Sequence, residues 1–201
     1  MNIPVQWAYL AVFIGVCGHA SSEFFAKLTG VAGPEVSVWR YLIGAAGLIV
    51  WSLLRKDTRD LATPLRQDWR MLIPLSLLGV SLAYLFFHWS LDFASVIQVA
   101  TLVTTIPIFV GLINLAVNGT PISTAKIITG LLAVVGVAAL LTDGYLDVLT
   151  AGGASIWGVL MAILCAALVA GYSVLSKPLM VRHGGMRITT LAITIGAVGL
   201  W

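Results

Sequence analysis

Charge is what this sequence has least of. Its 201 residues include 8 acidic and 11 basic side chains, 9% charged against 60% apolar, where soluble domains carry about 25% charged residues. A water-soluble single domain is excluded, because no core of that size could hide so much hydrocarbon. Cysteine is nearly absent. Cys17 and Cys165 both fall in apolar runs, where a lone thiol acts as a small hydrophobe, and nothing in the sequence supports a bridge between them. The start, "MNIPVQW", lacks the basic region and small-residue cleavage site of a signal peptide, so the first apolar segment is expected to be retained. The period-two alternation of outer-membrane strands is missing, which argues against a β-barrel. No P-loop, nucleophile elbow or paired-cysteine motif occurs, and no cofactor is expected. The basic residues are grouped in two loops rather than spread over a face, a topology signal and not a nucleic-acid surface.

What is there is a series of apolar runs of about twenty residues, the length a helix needs to cross a hydrocarbon core of about 30 Å. Runs and breakers place spans near 6–28, 34–54, 70–91, 93–117, 122–142, 154–178 and 187–201. The expected fold is therefore an all-α polytopic membrane protein with about seven spans. The last span would cover only about 22 Å as an ideal helix, and the sequence reads as part of a longer protein.

Lysine and arginine set the orientation. The 55–70 segment, "RKDTRDLATPLRQDWR", carries Arg55, Lys56, Arg59, Arg66 and Arg70, while Lys177, Arg182 and Arg187 surround the link between the sixth and seventh spans. Such loops face the cytoplasm, so the N-terminus is expected inside. The 143–153 connection, "DGYLDVLTAGG", has acids and no basic residue, as an external loop should. Faint internal similarity pairs "GHASSEFFAK" and "IGAAGLIVW" with "AGYSVLSK" and "IGAVGLW" about 150 residues later. An odd number of spans separates the two, so the second unit is inverted, the arrangement of many secondary transporters.

Polar residues inside these runs carry the chemistry. His19, Ser22, Glu23 and Lys27 are spaced to form one stripe of the first helix. Charged groups at mid-bilayer cost at least about 2.5–3.5 kcal/mol, so the stripe must face a cavity or a partner. His19 and Glu23 either bind substrate or a proton or form an i, i+4 pair that holds helices together; Lys27 reads as snorkelling to the headgroups. On the third span Ser81, Tyr84 and His88 share a face, with Asp92 a turn beyond. Tyr84 and His88 fit an outer-half cavity, and His88 with Trp89 equally fits an interfacial anchor. The fourth span presents Ser95, Gln98, Thr101 and Thr105 on one face before Pro107, read as a kink that frees a carbonyl. Ser and Thr at this spacing also glue helices. Arg40, Gly44, Gly47 and Trp51 share a face expected to serve close helix packing. Asp143 and Asp147 lie in the external loop, and His19 with Glu23 lacks a third ligand, so no metal site is expected.

The order of features resembles the EamA-type members of the drug/metabolite transporter superfamily. The residues that carry the resemblance are "LLGVSLAYLFFHWSLDFASVIQVATLVTTIPIFVGLINL" followed by "ITGLLAVVGVAALL", with Pro107, Gly130 and Gly136 on matching positions and Arg40 matching an arginine early in the second helix. Two places depart from the pattern: Cys17-Gly18 stands for Trp-Gly, and Asn118-Gly119-Thr120-Pro121 stands where a glutamate is common. The resemblance implies ten helices in two inverted five-helix repeats, of which this sequence holds the first (1–142), an external linker (143–153) and the start of the second (154–201). Together with the polar stripes, the expectation is an inner-membrane exporter of small polar metabolites working by alternating access, amino acids being what the resemblance suggests, with substrate or proton binding read from the stripes at His19, Ser22, Glu23, Tyr84, His88, Gln98 and Thr101. In the small multidrug transporters, distant relatives in the superfamily, aligning on Lys27 puts His19 where a proton-binding glutamate stands. Proton coupling and a homodimer are left open. A membrane-embedded lipid-modifying enzyme or a structural membrane subunit remains the alternative.

Overall fold

The computed structural model describes residues 5–28, 30–31, 33–141 and 155–201. Within α1 (Val5–Leu28), the side chains of His19, Ser22, Glu23 and Lys27 lie outside the described residues, as do Asp143 and Asp147. All regular structure among the described residues is helical. Four helical segments are long and apolar enough to cross a membrane, 34–54, 62–93, 98–118 and 156–183, and 127–136 and 185–199 are shorter apolar helices. The protein is an all-α polytopic membrane protein.

α2 runs Gly33–Leu54. The connection after it is shorter than the expected 55–70 loop, because α3 (Ala62–Ser76) already begins at Ala62 and takes Arg66 and Arg70 into the helix. The cause is a local cap: the Asp60 carboxylate accepts from the Thr63 N–H at 3.1 Å, and Pro64 follows in the first turn, where its missing N–H costs nothing. Thr63, through its hydroxyl and then its N–H, holds the Asp60 carboxyl below the usual carboxylate range, and Arg187 adds to the effect.

The third span has three parts in sequence, with a break from helical geometry at Asp68 inside the first. α3 passes into a π-helical stretch, Leu77–Leu82, and then into α4 (Ala83–Phe93). The wider turn lets neighbouring helices come close on that side. A Cβ on Gly79 would collide with Tyr172, and one on Gly196 would lie 2.6 Å from Val80. The Ser81 hydroxyl donates to the Gly196 carbonyl at 2.8 Å. Gly79 and Gly196 are thus close-approach glycines, as are Gly199, where a Cβ would collide with Leu77, and Gly158, where it would lie 3.0 Å from Ala94. Gly44 and Gly47 are exposed, and no described atom lies within 4 Å of a Cβ placed there, so none of the described helices packs closely on them.

The fourth span is two helices, α5 (Val96–Val103) and α6 (Ile106–Asn118), separated by a turn at Thr104 and Thr105. The Thr104 and Thr105 hydroxyls donate to the carbonyls of Thr101 and Leu102, each at 2.6 Å. Pro107 stands in the first turn of α6, so it starts a helix after a break instead of bending one. α6 ends at Gly119 with φ +63°, a left-handed position that glycine occupies without strain.

α7 covers Thr124–Leu141, α8 Ile156–Leu175, α9 Lys177–His183 and α10 Gly185–Gly199. The short α9 occupies what reads in the sequence as a plain link. α8 packs on α4, α5 and α6, while α10 packs on α2, α3 and the π-helical stretch. One apolar cluster joins Ala83, Phe87, Leu91, Val99, Leu102, Ala162 and Cys165; a second joins Leu72, Leu179, Ile188 and Leu191.

Candidate functional site

In lipid the hydrophobic effect does not pull helices together, so buried polar side chains and close packing decide which helices meet. The largest polar group so placed is His88, fully buried at the α4 face that meets α2. Its Nδ1 lies 2.7 Å from the Ser37 hydroxyl and 2.9 Å from the Tyr84 carbonyl, and its Nε2 lies 3.2 Å from Nη1 of Arg40. A guanidinium can only donate. Nε2 therefore accepts, the ring is neutral, and its hydrogen sits on Nδ1, pointing at the Tyr84 carbonyl and the Ser37 oxygen. Ser37 in turn donates to the Tyr84 carbonyl at 3.3 Å. Trp89, beside His88, is 39% exposed.

Aromatic rings complete the cluster. Tyr41 and Tyr84 lie with centroids 5.2 Å apart, and Phe87 meets Tyr84 at 6.3 Å and His88 at 5.1 Å, both edge to face. Such pairs add about 0.5–1.5 kcal/mol beyond the area they bury. Tyr41, Tyr84 and Arg40 are half-buried, so a guanidinium and two phenol rings are gathered at one place between two helices.

The structure brings Tyr84 and His88 together and adds Ser37, Arg40 and Tyr41. Gln98 and Thr101 sit elsewhere, on α5. Gln98 closes a capping box: its side-chain oxygen accepts from the Ser95 N–H at 3.0 Å, and its own N–H donates to the Ser95 hydroxyl at 3.2 Å. Ser81 turns to α10 while Tyr84 and His88 turn to α2. A cavity of about 740 Å³ lies between α6 and α7, lined by Thr104, Pro107, Gly111, Asn114, Ile122 and Thr129 among others. Its walls are almost all hydrocarbon and it holds neither Tyr84 nor His88. No group of three or more potential metal ligands occurs among the described residues.

Sequence reasoning missed Ser37 and Tyr41, and it assigned Arg40 to packing. The available signal was spacing: Ser37, Arg40 and Tyr41 lie at i, i+3 and i+4 in the first two turns of α2, one polar face in an apolar helix.

Comparison with known proteins fits this architecture. A family model described as EamA-like transporter family matches residues 6–142. An "uncharacterized transporter" of Archaeoglobus fulgidus is 27% identical over 166 residues, 83% of this chain and 55% of the relative. The chain thus spans about half the length of that curated relative. No solved structure matches.

Proposed function

The chain belongs to the EamA-like transporter family, and from that premise we propose a carrier that exports small polar metabolites, such as amino acids or their derivatives, by alternating access. The observation that carries the reading is the Ser37, Arg40, Tyr41, Tyr84 and His88 cluster, polar and aromatic at once, set inside an otherwise apolar bundle. A charged side chain inside a span is expensive and marks a solute or ion pathway by default. His19, Ser22 and Glu23 on α1, with Gln98 and Thr101 on α5, complete the solute route in this proposal, and His19 is the candidate for a coupling proton. The carrier sits in the inner membrane with its N-terminus in the cytoplasm. Residues 1–142 form the first of two inverted repeats, and residues from 154 open the second.

The test is uptake of a labelled pool of amino acids and small metabolites by protein in lipid vesicles, with and without a pH gradient. Accumulation that grows with the gradient and is lost in His19→Ala supports proton coupling at α1. Accumulation indifferent to the gradient leaves a facilitated carrier. No uptake of any member by folded protein turns the reading toward a membrane enzyme or subunit.

A further inference from the structure

We propose that Asp68, Arg182 and His183 form a latch that holds the basic end of the bundle closed, so that opening to that side requires the carboxylate to let go. The proposal rests on the alternating-access reading above.

Four side-chain links join the 52–68 segment to the 182–190 segment, and all lie at the end of the bundle that carries the basic loops. Nη1 of Arg182 lies 3.0 Å from each carboxylate oxygen of Asp68. Nε2 of His183 lies 2.6 Å from Oδ2 of the same carboxylate. Arg187 donates to the Asp57 carbonyl from Nε at 3.1 Å and from Nη2 at 2.6 Å. The Ser52 and Thr190 hydroxyls meet at 2.9 Å. In sequence these partners are between 114 and 138 positions apart, so each bond ties the first five spans to the last two. At the opposite end the described contacts between the same parts are of another kind. There the Ser155 N–H donates to the Phe93 carbonyl at 3.3 Å, and Gly158 packs against Phe93 and Ala94.

Three local features set this end apart. Asp68 leaves helical geometry inside α3, at φ −123° and ψ 24°, which turns its carboxylate toward α9. Gly184, at φ +90°, follows His183 directly and is joined to Gly185, so α9 and α10 meet at a two-glycine corner. At the other end of α9 the Ser176 hydroxyl is buried and makes no hydrogen bond among the described residues. A dry, unmet hydroxyl disfavours the closed arrangement, and water reaching it would remove that penalty. The contacts to the Asp68 carboxylate oppose it: the His183 side chain is 6% exposed and that of Asp68 18%, so the pair is largely shielded from bulk water. Arg182 is 63% exposed and adds a contact that salt weakens. α9 is thereby held between a glycine corner and an unsatisfied seat, which suits a part that closes and releases.

The test uses the full chain in oriented vesicles with Cys17→Ser and Cys165→Ala, and a single reporter cysteine at either end. Ser176→Cys reports the basic end, and Ser90→Cys, equally buried near the far end of the third span, reports the other. A membrane-impermeant maleimide is added from the side of each reporter. With Asp68→Asn, and separately with Arg182→Gln, labelling at position 176 is expected to rise at least five-fold while labelling at position 90 stays level or falls. The exchanged pair Asp68→Arg with Arg182→Asp is expected to bring labelling at 176 back toward the parent rate. Unchanged labelling at 176 in both single variants overturns the latch, and if transported solute still shifts the two reporters in opposite directions, alternating access survives without it. A rise at both reporters together overturns both, because the bundle has then loosened instead of exchanging sides.

Discussion

Replacing His88 by phenylalanine keeps an aromatic ring against Phe87 but removes both nitrogens. Three polar contacts are lost: Arg40 at 3.2 Å, Ser37 at 2.7 Å and the Tyr84 carbonyl at 2.9 Å. Side-chain hydrogen bonds within membrane proteins average about 0.6 kcal/mol and reach about 1.7 kcal/mol. The three together come to about 2 kcal/mol, with the charged Arg40 contact the largest share. The decisive quantity is the coupling. In a cycle of His88→Phe, Arg40→Gln and the double variant, the double is expected to cost about 1 kcal/mol less than the two singles added, since each single already breaks their shared bond. Reversible unfolding of the purified protein in lipid bicelles measures it. Additivity within about 0.3 kcal/mol would refute the reasoning, because it would mean that His88 does not hold the guanidinium.

Glycine substitutions separate close approach from mere small size. Gly79→Ala drives a methyl into Tyr172 and is expected to cost about 1–3 kcal/mol; Gly47→Ala, with no described atom within 4 Å, should be neutral or gain up to about 1 kcal/mol, in the same unfolding assay. Pro107→Ala should change stability by less than about 0.5 kcal/mol, since a first-turn proline forfeits no intrahelical bond; a loss above 2 kcal/mol would show that the ring shapes the Thr104–Thr105 break. Asp60, whose carboxyl is held below its ordinary value of 3.8 chiefly by Thr63, stabilises the charged form in the folded chain. Its contribution is therefore full above that value and is lost as pH falls below it toward the lower folded value. The stability gap between the parent and Asp60→Asn should accordingly be present at pH 7 and close at acid pH, and a gap that widens with acid would reverse the assignment.

The helices were legible because a bilayer demands long apolar runs and the runs have breakers between them. The expected spans 6–28, 34–54, 122–142 and 154–178 fall on α1, α2, α7 and α8 to within two or three residues. The early start of α3 was also written in the sequence, in Asp60, Thr63 and Pro64, but the surrounding arginines made the segment read as loop. The π-helical stretch 77–82 has no composition of its own; it follows from Gly79, Gly196 and Tyr172 meeting, which only tertiary packing decides. The same holds at the candidate site. Tyr84 and His88 stood out as polar residues in an apolar run, whereas the pairing of His88 with Arg40, 48 positions away, depends on which face of α4 meets α2. Arg182 read only as a topology signal, because its partner Asp68 lies 114 positions away.

The central claim is that a transported solute contacts the cluster between α2 and α4. Its most direct test is the concentration dependence of uptake into vesicles by the full chain and by Tyr84→Phe, which keeps the ring packed on Tyr41 and Phe87 and removes only the hydroxyl. The account predicts saturable uptake by the parent and a KM raised at least five-fold in the variant at unchanged protein yield and unfolding midpoint. Saturable uptake with the same KM in both proteins would contradict it and place the solute elsewhere in the bundle.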